Sequence, residues 1–178
     1  GLMNSFLEGD LRREQYVYSS SYGLSSAKWG SNFTQMGAFN LRIAEAYLNR
    51  AEAYANTGKD ELAVKDLTTL LKCRVKDMEK VDIPASGEGL RKFIFEERRR
   101  EFCFEGMRLF DLKRLKLFAK QITHKFTLRN TSGGKLGVET YLLPVGDPNY
   151  VFPIPKEETD VNPGIVQNER KVTNAIVE

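Results

Sequence analysis

Three glutamates, Glu97, Glu101 and Glu105, recur at every fourth position. On a helix that spacing places them on one face. Two carboxylates held about 5 to 9 Å apart are what glycoside hydrolysis requires, one as acid and one as base or nucleophile. Each of these glutamates, however, has an arginine within one helical turn. Arg98 lies three before Glu101, and Arg108 lies three after Glu105 and three before Asp111. A guanidinium at that distance favours the ionised carboxylate, not the raised-pKa acid that cleavage needs. The face formed by Glu97, Arg98, Glu101, Glu105, Arg108 and Asp111 therefore reads as a structural ion-pair ladder. A carboxylate hydrolase stays open as an alternative, which a turnover assay on Glu101→Gln tests.

A second group is aromatic. Tyr16, Tyr18, Tyr22 and Trp29 lie in or beside a stretch, Ser19 to Ser31, that holds six serines. Aromatic faces stack on pyranose rings and nearby polar side chains fix orientation, so this segment is the candidate glycan contact. The competing reading is that the same rings cover the first long helix.

Other residue types narrow the chemistry by their scarcity. The single histidine, His124, excludes multi-histidine metal sites. Cys73 and Cys103 are too few for a disulfide scaffold or a cysteine-rich zinc module. No metal site and no cofactor is expected. Ser132-Gly133-Gly134-Lys135-Leu136 lacks the spacing of a phosphate loop and reads as a turn. Arg108 to Arg129 carries seven basic residues, but Phe110, Leu112, Leu115, Leu117 and Phe118 alternate with them. That pattern fits a solvated amphipathic face better than a nucleic-acid patch.

The elements that must position these groups follow from patterning. The chain has 178 residues, 41% hydrophobic and 29% charged, with a net charge of +3. It is long enough for a substantial core and too evenly composed for wholesale disorder. No apolar run approaches the ~20 residues of a membrane span. Residues 1–37 read as a loop-rich segment, with Tyr16-Val17-Tyr18 alternating like a strand. Residues 38–120 form a helical core. Leu41, Ala44, Tyr47, Leu48, Ala51, Tyr54 and Ala55 mark its first helix, and Gly58 suits the turn that ends it. A second helix starts near Asp60, a third runs over 87–105 with Ser86 as cap, and a fourth covers Met107 to Lys120. Residues 121–178 hold two short strands, near Phe126–Leu128 and Val138–Leu143, and then a proline-rich extended tail. The fold class is mainly α, with loop-rich and short β elaborations.

The first helix pair fits one tetratricopeptide (TPR) unit, with Tyr47, Ala51 and Tyr54 in its first helix, Gly58 at the turn, and Ala63 and Leu67 in its second. Arg50 stands where leucine is usual and Val75 where proline is usual. A single unit leaves its faces uncovered, which together with the leading Gly1 suggests a piece of a longer protein.

Four further motifs occur in order. They are Asp10-Leu11-Arg12-Arg13; Leu41-Arg42-Ile43-Ala44-Glu45-Ala46-Tyr47-Leu48-Asn49-Arg50-Ala51-Glu52-Ala53; Glu97-Arg98-Arg99-Arg100-Glu101-Phe102 with Glu105-Gly106-Met107-Arg108 and Asp111-Leu112-Lys113-Arg114; and Phe152-Pro153-Ile154-Pro155 with Asn162-Pro163-Gly164-Ile165-Val166-Gln167-Asn168. Together they resemble the C-terminal part of the SusD/RagB outer-membrane lipoproteins. The resemblance implies TPR-like helical repeats of the alpha-alpha superhelix type and a single domain running on through 121–178. It implies a non-catalytic protein on the external face of the outer membrane of Bacteroidetes, anchored by an N-terminal lipid that this chain lacks. It implies capture of an oligosaccharide or other nutrient for polysaccharide utilization, and its transfer to a SusC-like TonB-dependent transporter. The competing role is a TPR-like protein-interaction scaffold without a glycan site of its own. Residues 169–178 continue past the point where the family often ends.

Overall fold

The computed structural model describes residues 1–20, 23–28, 42–115 and 121–177. The chain divides into two compact units, Gly1–Arg108 and Leu109–Glu178.

The first unit opens with a short helix, α1 (Arg12–Tyr16), that runs directly into β1 (Val17–Ser20). β1 pairs antiparallel with β2 (Gly23–Ser26), with Tyr18 opposite Ser25 and Val17 opposite Ser26. Three longer helices make the core: α2 (Ile43–Asn56), α3 (Asp60–Leu71) and α4 (Gly87–Glu101). α2 buries Ala44, Leu48, Ala51 and Ala55, one residue per turn on one stripe. α3 answers with Ala63, Leu67, Leu70 and Leu71. The alanines at Ala51 and Ala63 are wholly buried and let the two helices approach, while Leu48, Leu67 and Leu90 fill the space around them. Each fully buried leucine contributes about 2 kcal/mol relative to an exposed one.

Gly58 makes the turn between α2 and α3 at φ 73°, a left-handed conformation that a Cβ disfavours. The Lys59 amide closes the turn onto Tyr54 O at 2.9 Å.

α4 differs at both ends from what the pattern predicts. Ser86 occupies the cap position but makes no capping bond with its side chain. The Gly87 amide instead donates to Asp60 Oδ2 at 3.2 Å, tying the start of α4 to the start of α3. At the other end the helix stops at Glu101, not at 105. Phe104 has φ 65° and Gly106 φ 74°, and neither conformation continues a right-handed helix. The Lys28 ammonium takes up the freed carbonyls of Glu101 and Cys103. Both cysteines are free thiols, Cys73 exposed and Cys103 buried.

α5 (Met107–Arg114) spans the boundary between the units, shorter than its predicted extent, and residues 116–120 lie outside the described residues. The second unit is built on a three-stranded antiparallel sheet in the order β3 (Ile122–Arg129), β4 (Lys135–Leu143), β5 (Ile176–Val177). The strands outrun the predicted ones because pairing continues through polar residues, up to a bulge at Leu128/Arg129. Asn130 closes the hairpin: its Oδ1 accepts from the Gly134 amide at 2.7 Å.

The tail is not wholly extended. It contains α6 (Lys156–Val161), which begins just after Pro155 with Glu157 and Glu158 in its first turn, where the helix dipole favours acids. The two terminal motifs fasten onto each other. Gln167 accepts from the Ile154 amide at 2.8 Å and donates to the Ile154 carbonyl at 2.9 Å. Asn168 donates to Phe152 O at 2.8 Å, and Arg170 to Val151 O at 2.7 Å.

Candidate functional site

Glu97 and Glu101 lie one turn apart on α4 and are both wholly buried. A buried carboxylate needs partners that supply charge and hydrogen bonds together. Glu101 has three arginines. Arg12 Nη1 donates to its Oε2 at 2.9 Å, Arg42 Nη1 to its Oε1 at 3.0 Å, and Arg74 forks across both oxygens at 2.9 and 3.0 Å. Glu97 accepts from Arg12 Nη1 at 2.7 Å and from Arg100 Nε at 2.7 Å. Arg12 is itself oriented by Asp10, two residues before it, through Nε to Oδ1 at 2.9 Å and Nη2 to Oδ2 at 2.7 Å. Glu105, just past the helix end, takes Arg42 Nη2 at 2.6 Å and the Lys28 ammonium.

Burial by itself would raise the Glu101 carboxyl. The hydrogen bonds and charge of Arg74, then those of Arg12, outweigh burial and hold it at about 2. Burial also works against the Arg12 cation, but Asp10 and Glu97 keep it firmly protonated. An acid catalyst at neutral pH requires the opposite balance. The network is suited to hold segments together, not to move protons.

The other members of the charged face have separate partners. Arg98 donates to Asn49 Oδ1 at 2.7 Å and approaches Glu52 at 3.7 Å. Arg108 approaches Glu96 at 3.8 Å, with its guanidinium 4.2 Å from the Phe95 ring centre. Asp111 pairs with Arg114 at 2.7 Å. Periodicity puts the acids on one face but does not reveal Arg12, Arg42, Arg74 and Lys28 as their partners. The Asp10-x-Arg12 element and the Arg42 motif carry a signal for two of them. Lys28 and Arg74 carry none.

Lys28 links the network to the aromatic candidate Tyr16. Tyr16 ends α1, and its carbonyl accepts from the Ala27 amide at 2.8 Å, which closes the base of β1–β2. That places Lys28 Nζ 4.5 Å from the centre of the Tyr16 ring. Burial, then the Glu101 charge, raises the Tyr16 phenol above its ordinary value. Tyr18 on β1 is 51% exposed. Tyr22 and Trp29 lie outside the described residues. In the second unit, Leu112, Val145, Asp147 and Tyr150 line a cavity of about 180 Å³. Ligand pockets typically begin at roughly 300 Å³.

Comparison with known proteins places these features in a common frame. The SusD family model matches residues 11–170. The starch-binding protein SusD of Bacteroides thetaiotaomicron is 34% identical over 129 residues, covering 72% of this chain and 20% of that protein. The crystal structure of a protein described as sugar-binding, from Bacteroides vulgatus, superposes with a TM-score of 0.63 at 26% identity, over 94% of this chain and 37% of that one. A SusD-like carbohydrate-binding protein of the same species gives the same TM-score at 21% identity, over 96% of this chain and 41% of that one, and so speaks for the fold alone. The chain therefore spans about a fifth of the curated relative and about two fifths of the solved ones. The matched stretch takes in Arg12 and its α4 carboxylates as well as the interlocked Phe152–Pro155 and Gln167–Asn168 segments, and over that length the chain belongs to the SusD family.

Proposed function

We propose that this chain is the C-terminal part of a non-catalytic protein that captures glycans at the bacterial cell surface and passes them to a SusC-like TonB-dependent transporter. The observation that carries the reading is the SusD family match over residues 11–170, within which Glu101 is held ionised by Arg74 and Arg12. In this reading a lipid anchors the protein to the external face of the outer membrane, in line with the Bacteroides relatives. The half-exposed Tyr18, with Tyr16, Tyr22 and Trp29, makes the glycan contact. The buried Glu97–Glu101–Glu105 network, with Arg98, Arg108 and Asp111 beside it, holds the supporting frame.

The α2–α3 pair is a TPR-like unit within one domain that continues through 121–178. Its support is the burial of Ala51, Ala63 and Leu67 at the expected small and apolar positions. Arg50, where that pattern has leucine, instead forks onto Asp66 of α3 through Nε and Nη2, both at 2.7 Å. This helical face is the part offered to the transporter. If it were the only active surface, the chain would be a scaffold without a glycan site.

Trp29 is the sole tryptophan, so its fluorescence tests the reading directly. Titration with soluble polysaccharides and oligosaccharides should give a saturable change for one glycan class. Tyr18→Ala should weaken it about tenfold, the scale of one lost stacking contact. Silence toward every glycan, with retained affinity for a purified SusC-like barrel, would leave the scaffold role in its place.

A further inference from the structure

The β3–β4 hairpin carries a second aromatic group, distant in sequence from the tyrosines of β1. Register places His124 opposite Tyr141, Phe126 opposite Glu139 and Leu128 opposite Gly137. Directly opposed residues share a face of the sheet, so these six form a two-by-three grid. Phe126 is 50% exposed. The His124 ring packs against it at 4.2 Å, tilted by 59°, and the Tyr141 ring meets it edge to face at 5.6 Å. Tyr141 donates its hydroxyl to Glu139 Oε2 at 3.1 Å, which raises the phenol above its ordinary value. Among the described residues, none donates to Glu139 Oε1 and no cation pairs with this carboxylate. Gly137 adds no side chain at the end of the grid beside Leu128.

The chemistry selects among occupants. An apolar protein surface laid on Phe126 would strip water from Glu139 and leave the carboxylate unpaired, at a cost that the ring contact does not offset. A phosphate backbone would be repelled by the same carboxylate. An alkylammonium cage needs several ring faces turned toward one point, whereas the near-perpendicular Phe126–Tyr141 pair turns an edge to a face. A neutral sugar presents a flat patch of C–H groups and a rim of hydroxyl donors, which matches a ring beside a free carboxylate oxygen.

We propose that this hairpin face is a pyranose-binding platform: the Phe126 ring stacks beneath the sugar, and Glu139, steadied by the Tyr141 hydroxyl, accepts from its hydroxyls. The inference rests on the glycan-capture reading above but names a different contact, in the second unit. It gives the second unit a sugar contact of its own.

Aromatic side-chain NMR of the labelled chain, titrated with the methyl glycosides of glucose, galactose, mannose, xylose and glucuronic acid, tests it. At least one neutral glycoside should shift Phe126, His124 and Tyr141 saturably. Phe126→Leu should weaken that binding about tenfold while the backbone spectrum of the sheet stays in place. Methyl glucuronide should bind more weakly than methyl glucoside, and Glu139→Gln should shrink that difference. Sugars that move the Trp29 indole but leave the hairpin unmoved would overturn the platform and leave the capture reading standing. Shifts at the hairpin alone would support the platform and place the capture reading's aromatic segment in error. Silence at both overturns the platform, and the oligosaccharide titration above then decides the capture reading. Tetramethylammonium shifting the grid where no sugar does would overturn the proposal in favour of a cation site.

Discussion

Three guanidinium groups, those of Arg12, Arg42 and Arg74, share the single carboxylate of Glu101, which is fully buried. Removing that charge while keeping the shape, as Glu101→Gln does, leaves the arginines facing one another with one anion fewer. Breaking a buried pair in this way costs about 3 to 5 kcal/mol, so the urea midpoint should fall sharply. The same carboxylate predicts the acid limb. Its folded pKa is about 2, against an ordinary 4.5 in the unfolded chain. A depressed folded pKa means the stabilisation is complete above the unfolded value and drains away as pH falls from 4.5 toward 2. Its full size is about 3 kcal/mol. Urea midpoints measured across that window should fall in the natural chain and change much less in Glu101→Gln. Parallel curves for the two proteins would mean that Glu101 is not the titrating group.

At the scale of elements, periodicity carries a long way and then stops for a physical reason. The stripe through Ala44, Leu48, Ala51 and Ala55 is visible in sequence because helix neighbours are three and four residues apart. The end of α4 is not visible, because it is set by Lys28, which reaches the Glu101 and Cys103 carbonyls from more than seventy residues away. The hidden partners of Glu97 and Glu101 follow the same logic. Arg12 is 85 and 89 residues from them, and no spacing rule links positions so far apart. The aromatic grid on β3–β4 is not legible in the sequence, because only register reveals which side chains face each other. The tail shows the converse, since the two terminal motifs are legible as motifs but their mutual bonding is not. Gln167 bonds both backbone groups of Ile154, much as a neighbouring strand would. Gln167→Ala should therefore speed hydrogen exchange at the Ile154 amide by at least about tenfold, with little change in the unfolding midpoint, because Gln167 is exposed, Ile154 only half-buried, and both lie outside the core. Unchanged exchange at Ile154 would show that the clasp does not hold in solution.

Across the whole molecule, charge is nearly balanced at +3, yet it is unevenly placed. Some ion pairs are at the surface, such as Lys80–Glu8 at 2.9 Å and Lys156–Asp160 at 4.0 Å. Exposed pairs of this kind contribute little and are screened by salt. The pairs around Arg12, Glu97 and Glu101 are closed to solvent, and dissolved ions cannot come between them. Screening acts through the solvent, so a buried network keeps its strength even where the Debye length falls to about 3 Å at 1 M salt. Raising sodium chloride from dilute buffer to about 1 M should therefore change the urea unfolding free energy by less than about 1 kcal/mol at neutral pH. Lowering the pH through the Glu101 window should cost several times more. Urea is the denaturant for this comparison because guanidinium is itself a salt. Arg42 and Arg74 are partly exposed and only Arg12 is closed off, so a large loss of stability in salt alone would place the Arg12 pairs themselves in contact with water. A small loss in salt and a large loss in acid is the signature of charges that meet inside the fold, where they join segments from residues 10–12, 42 and 74 to the end of α4.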